Sequence, residues 1–169
     1  NVSMMEYDNI IHDSDMTMEG GMGYWGLGST DLKTGDINGD DFPDILIGSE
    51  YMNSNGDDSG SVQVVFGGVD LLMEMDLQTY AHVAIESFPG FRLSQVDCLD
   101  FDGDGIDDIA VGAPYGFNDM SGGVFMFHGE ELFPTGSISI IDNDFYIRGP
   151  RSGWGLGFMA VDDMNQDGR

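Results

Sequence analysis

Residues 100–114 read Asp-Phe-Asp-Gly-Asp-Gly-Ile-Asp-Asp-Ile-Ala-Val-Gly-Ala-Pro, DFDGDGIDDIAVGAP. Five carboxylates in nine residues lead straight into a short apolar segment with the composition of a buried β-strand. Like charges packed this closely repel by about 1 kcal/mol per pair in water and by about 4 kcal/mol at a protein surface. A hard cation ligated by oxygen removes that cost, and acidic residues at alternate loop positions turn successive side chains onto one ion. The candidate ligands here are Asp100, Asp102, Asp104 and Asp108, with the backbone carbonyl of Ile106. Asp107 is expected to point outward.

The pattern recurs along the chain. Asp36-Ile-Asn-Gly-Asp-Asp-Phe-Pro-Asp44 is followed by ILIGSEY, and Asp163-Met-Asn-Gln-Asp167 opens a third copy; the intervals from Asp36 to Asp100 and from Asp100 to Asp163 are 64 and 63 residues. An aromatic and glycine cluster precedes each loop (GYWGLGS at 23–29, FPGFRLS at 88–94, SGWGLGF at 152–158). A short alternating segment precedes each cluster (MTMEG, HVAIES, FYIRG). In the first loop Asp36, Asn38, Asp40 and Asp44, with the carbonyl of Phe42, occupy the ligand positions. Asp41 stands where the second loop has Gly105, so a positive φ there would strain the first loop and weaken its cation site. In the third copy Asp163, Asn165 and Asp167 form a partial site. An EF-hand is excluded, because the twelfth position, which would have to be a bidentate Glu, is Ile47 or Val111 within an apolar strand.

Alternation, β-branched content and glycine punctuation predict four strands per unit: 29–35, 45–50, 61–66 and 80–86 in the first, and 92–99, 109–114, 123–128 and 138–147 in the second. Residues 69–79 read as a connector with at most one helical turn. Four short antiparallel strands per unit describe a propeller blade. The expected architecture is an all-β fold forming part of a β-propeller. Residues 1–28 supply the last strand of a preceding blade, 29–91 and 92–154 supply two blades, and 155–169 begin a third. Such a piece cannot close a ring, so further blades or neighbouring subunits are expected to complete it.

Composition narrows the function. With 31 acidic and 5 basic residues the formal net charge is −26, which argues against nucleic acid and anionic lipid as partners and for cations. No run of about 18 apolar residues suits direct membrane insertion. The single cysteine, Cys98, allows no internal disulfide and reads as a buried structural thiol. Asn1-Val2-Ser3 matches the N-glycosylation sequon of a glycoprotein. His12, His82 and His128 lie far apart, beside no nucleophile motif and in no metal-ligand spacing, so the chain reads as no enzyme; His82 and His128 are expected at strand edges or facing outward.

The aromatic and glycine cluster, the D-x-[DN]-x-D-G-x-x-D loop, the following [ILV]-x-[ILV]-G-[AS]-P and the trailing F-x-I-x-G strand resemble FG-GAP repeats. About two and a half copies cover essentially the whole chain, departing from the pattern at Gly48-Ser-Glu50 and at Gly90-Phe-Arg-Leu93. Such repeats build the propeller heads of integrin α subunits and the propeller of glycosylphosphatidylinositol-specific phospholipase D. The resemblance implies Ca2+ in the loop between the first and second strands of a blade, at two sites and a partial third. It also implies a protein or glycan ligand on the opposite face, at 20–25, 51–60, 115–123 and 150–154. There Tyr51 and Tyr115 are surface candidates, whereas Trp25 and Trp154 are expected to fill space between blades. The expected function is a calcium-stabilised, non-catalytic adhesion or recognition module, extracellular or at the cell surface. The alternatives are a structural repeat of a surface filament or sheath, and the accessory propeller of a secreted hydrolase.

Overall fold

The computed structural model describes residues 17–19, 30–53, 55–68, 74–76 and 81–160. The strands are β1 (Thr17–Glu19), β2 (Asp31–Gly35), β3 (Asp44–Ser49), β4 (Ser61–Val65), β5 (Glu74–Asp76), β6 (Val83–Glu86), β7 (Gln95–Leu99), β8 (Asp108–Ala113), β9 (Gly123–Phe127), β10 (Gly136–Ser139) and β11 (Phe145–Arg148). Two antiparallel meanders dominate. One runs β2-β3-β4-β6 and the other β7-β8-β9-β11, each the work of one sequence repeat. Their registers match: Gly35 opposes Asp44 at the first acidic hairpin and Leu99 opposes Asp108 at the second. The fold is all-β, as expected, and among the described residues the two blades close no ring.

The blades stand side by side. Their first strands β2 and β7 are neighbours, joined by Lys33 Nζ to Asp97 Oδ1 at 3.2 Å and by the Cys98 thiol, 3.2 Å from the Thr34 carbonyl it donates to. Strands β4 and β8 are buried along their whole length, and residues of both sheets share one core cluster that includes Leu46, Val64, Ile85, Leu93, Val111 and Phe127. Each large aliphatic side chain so buried contributes about 1.5–3 kcal/mol. Gly48 and Gly112 explain the glycine of the G-[AS]-x signature. A Cβ on Gly48 would collide with the Ser94 carbonyl, and one on Gly112 with the Gly157 carbonyl, because the segment leading into the next repeat crosses directly over the second strand.

Two expectations are corrected. Residues 138–147 do not form one strand: β10 ends at Ser139, a 3-10 turn follows at Ile140–Asp142, and β11 starts at Phe145. Ser139 and Asp142 build a reciprocal capping box, which favours a turn over continued extension. Strand β10 then leaves its own blade and pairs in parallel with β6, the outer strand of the preceding one, so that blade has five strands. The connector at 69–79 likewise contains a strand, β5, which pairs in parallel with β1. In both repeats, therefore, the connection from third to fourth strand pairs in parallel with a strand earlier in the chain. Alternation alone does not show this, because a parallel partner supplied from another repeat leaves no local signature.

Candidate metal centre

Both acidic loops are wound by the same ladder of side chain to backbone hydrogen bonds. In the second, the Asp100 carboxylate accepts from Gly103 N at 2.6 Å and Gly105 N at 3.0 Å, Asp102 from Asp104 N at 3.0 Å, and Asp104 from Ile106 N at 2.9 Å. In the first, Asp36 accepts from Asp40 N at 3.0 Å and Asp41 N at 2.9 Å, Asn38 from Asp40 N at 3.1 Å, and Asp40 from Phe42 N at 2.9 Å. Asp and Asn suit this role because their short side chains reach a backbone amide two residues on. The sixth position does adopt a left-handed backbone in both loops, with φ of 96° at Gly105 and 66° at Asp41. The non-glycine residue thus bears the strain anticipated from the sequence.

The ninth-position carboxylates differ from their neighbours. Asp44 and Asp108 are buried, and each closes its loop by accepting two backbone amides. Asp44 takes Ile37 N at 2.9 Å and Gly67 N at 2.8 Å; Asp108 takes Phe101 N at 2.8 Å and Gly129 N at 2.9 Å. Burial pushes the Asp44 carboxyl above its ordinary range, against the two amides that pull it down.

One ligand atom from each of Asp100, Asp102 and Asp104 lies within 4.8 Å of the others, a spread that a single calcium ion with oxygen ligands at 2.3–2.6 Å spans. Among the described residues the first loop makes no such group of three acids. Asn38 takes the place of Asp102, and its amide donates to Asp40 Oδ2 at 3.2 Å. The third set, Asp163, Asn165 and Asp167, lies outside the described residues, as do Trp25 and the Asn1 sequon.

Two residues depart from their expected places. Asp107 does not point away into solvent: its Oδ2 accepts from Asp36 N at 3.0 Å and its own N–H donates to the Asp36 carbonyl at 2.9 Å, stitching the second loop to the first. His128, expected at a strand edge or facing outward, sits just past the end of β9, half-exposed, with Nδ1 3.2 Å from Asp108 Oδ1 and 3.4 Å from Asp102 Oδ2. Burial lowers the basicity of this imidazole, but the hydrogen bond and charge of Asp108 outweigh it and the pKa is raised overall. The sequence did carry a signal for it, since His128-Gly129 keeps step with Phe66-Gly67, but no spacing rule links it to residues twenty or more positions earlier. His82, in turn, is exposed, stacked on Phe66, and accepts from Phe66 N at 2.8 Å.

On the opposite face Tyr51 and Tyr115 are exposed, as expected, and flank Arg92, whose guanidinium lies 5.6 Å and 5.0 Å from their ring centres. Arg92 also pairs with Asp58 at 2.7 Å and Glu50 at 3.7 Å. Trp154 is 60% exposed among the described residues, with Arg151 over its ring, and Gly153 N and Gly155 N bond the Asp119 and Met120 carbonyls; the repeat it leads into lies beyond residue 160, outside the described residues.

In-register sheets of this kind, each with an acidic hairpin between its first two strands, define a repeat protein of propeller blades. The chain carries FG-GAP repeats, matched at residues 30–65 and 94–125. It is similar to integrin alpha-V of Gallus gallus, with 29% identity over 171 residues covering 99% of this chain and 16% of that protein. Integrin alpha-PS2 of Drosophila melanogaster is 31% identical over 145 residues, covering 81% of this chain and 10% of that protein. Phosphatidylinositol-glycan-specific phospholipase D of Rattus norvegicus is 31% identical over 150 residues, covering 82% and 17%. The chain spans less than a fifth of the length of these relatives.

Proposed function

We propose that this chain is part of a calcium-stabilised, non-catalytic recognition propeller working outside the cell or at its surface. The observation that supports it most directly is the group Asp100, Asp102 and Asp104, gathered to the span of one ion by a hydrogen-bond ladder repeated in the first loop. Asp100, Asp102, Asp104 and Asp108, with the carbonyl of Ile106, would hold one ion. Asp36, Asn38, Asp40 and Asp44, with the carbonyl of Phe42, would hold a second, and Asp163, Asn165 and Asp167 would begin a third. A bound calcium supplies neutralising charge. The residues do the rest: Asp36 and Asp100 tie both oxygens, and Asp40 and Asp104 one oxygen each, to backbone amides, fixing the hairpins that link β2 to β3 and β7 to β8. Shallow, exposed loops of this kind suit the calcium levels outside cells, where modules bind at about 10⁻⁴–10⁻³ M.

Recognition is then assigned to the face away from these loops, where the exposed rings of Tyr51 and Tyr115 flank Arg92, itself paired with Asp58 and Glu50, in an aromatic patch suited to a protein or glycan ligand. Similarity to two integrin alpha chains supports this reading. Similarity to the phospholipase D supports a second one, in which the blades are the accessory propeller of a secreted hydrolase. Calorimetric calcium titration tests the metal centre: the chelator-treated protein should take up calcium, with Asp102→Ala losing one equivalent. No calcium uptake, or uptake unchanged in Asp102→Ala, would contradict it.

A further inference from the structure

Beyond the Asn38-for-Asp102 exchange, the second loop has a nitrogen donor that the first lacks. Asp44 makes its two backbone hydrogen bonds with Phe66 beside it, and Asp108 makes the same two with His128 in that place. The imidazole is therefore not needed to close the loop. It nevertheless faces the carboxylates: one ligand atom from each of Asp102, Asp108 and His128 lies within 4.8 Å of the others. The separations from Nδ1 are 3.2 Å and 3.4 Å. Neighbouring ligands around a tetrahedral zinc ion, with bonds of about 2.0–2.2 Å, stand about 3.3 Å apart. An imidazole nitrogen with carboxylate oxygens is a donor set for borderline transition metals, whereas calcium takes oxygen throughout.

We propose that Asp102, Asp108 and His128 form a second cation site, selective for zinc-class dications, which shares Asp102 and Asp108 with the calcium centre but does not use Asp104. The half-exposed imidazole leaves the site open to metal from solvent, with a fourth position for water. The proposal leans on the calcium reading only through those two shared aspartates, and the two are separable by experiment.

The test is calorimetric titration of the intact protein with ZnCl2 in calcium-containing buffer, repeated with CoCl2 and read by visible absorption. Wild type should bind zinc with at least tenfold higher affinity than His128→Phe, and only wild type should give the intense visible bands of tetrahedral cobalt. Because Phe is the first blade's own residue at this place, His128→Phe should keep its circular dichroism and its calcium uptake. Asp104→Ala should lose calcium at this loop and keep zinc. Zinc uptake unaltered by His128→Phe, or lowered as much by Asp104→Ala as by His128→Phe, overturns the proposal. Zinc uptake that depends on His128 in a protein that takes no calcium would uphold this site and refute the calcium reading alone.

Discussion

At the scale of single residues, burial and close packing set chemistry that composition hides. Burial pushes the Cys98 thiol up to about 11, with Asp107 and Asp97 adding to the effect. Relative to an ordinary thiol, the thiolate fraction at pH 8 falls from about 10⁻¹ to about 10⁻³, so alkylation by iodoacetamide should be about a hundredfold slower in the folded protein than in urea. Equal rates would contradict the raised pKa of this half-buried thiol. The sign for stability follows: a raised pKa contributes stability that is complete below pH 9 and lost as pH rises toward 11. Asp107 offers a second check. Asp107→Ala removes the acceptor for Asp36 N and should lower stability in urea by about 1–2 kcal/mol, with Asp107→Asn milder because the amide oxygen still accepts. Identical midpoints for wild type and Asp107→Ala would show that the stitch between loops contributes nothing. The ladder positions in both loops were legible in the sequence because Asp and Asn at alternate places have one physical use. Asp107 and His128 were not, because both act across the fold on partners that lie on another strand or in another repeat.

At the scale of elements, the acidic hairpins and the second and third strands of each blade follow from local pattern, since strand period and turn chemistry agree there. The outer strands do not. Strand β10 has exposed or half-buried side chains and is held by parallel pairing with β6, by Gly136 N donating to the His82 carbonyl at 2.7 Å, and by Ser137 Oγ donating to Glu86 at 2.7 Å. Gly136 has φ of 91°, so Gly136→Pro removes a donor and forbids the backbone at once. The expected loss is about 2 kcal/mol or more in urea unfolding, together with faster amide exchange along β6. Unchanged exchange on β6 would mean that the reach-back strand does not protect the preceding blade.

At the scale of the molecule, neighbouring blades are joined by a shared apolar core, by the crossing at Gly48, by the Lys33–Asp97 pair and by the contact of the two acidic loops. The repeat period made this arrangement legible: three in-phase loops require equivalent units, and units with four alternating segments require sheets. The exchange of strands between units was not legible, because the period is equally satisfied by self-contained blades.

With a formal net charge of −26, ion binding to these loops should dominate stability. Thermal unfolding in saturating calcium and in excess chelator, for wild type and Asp104→Ala, tests this claim most directly. A ligand that binds only the native state at a hundred times its Kd adds about 2.7 kcal/mol per site. A large calcium-dependent rise in Tm is expected, which Asp104→Ala reduces without abolishing, since the first loop remains. A Tm that ignores calcium in wild type would contradict it.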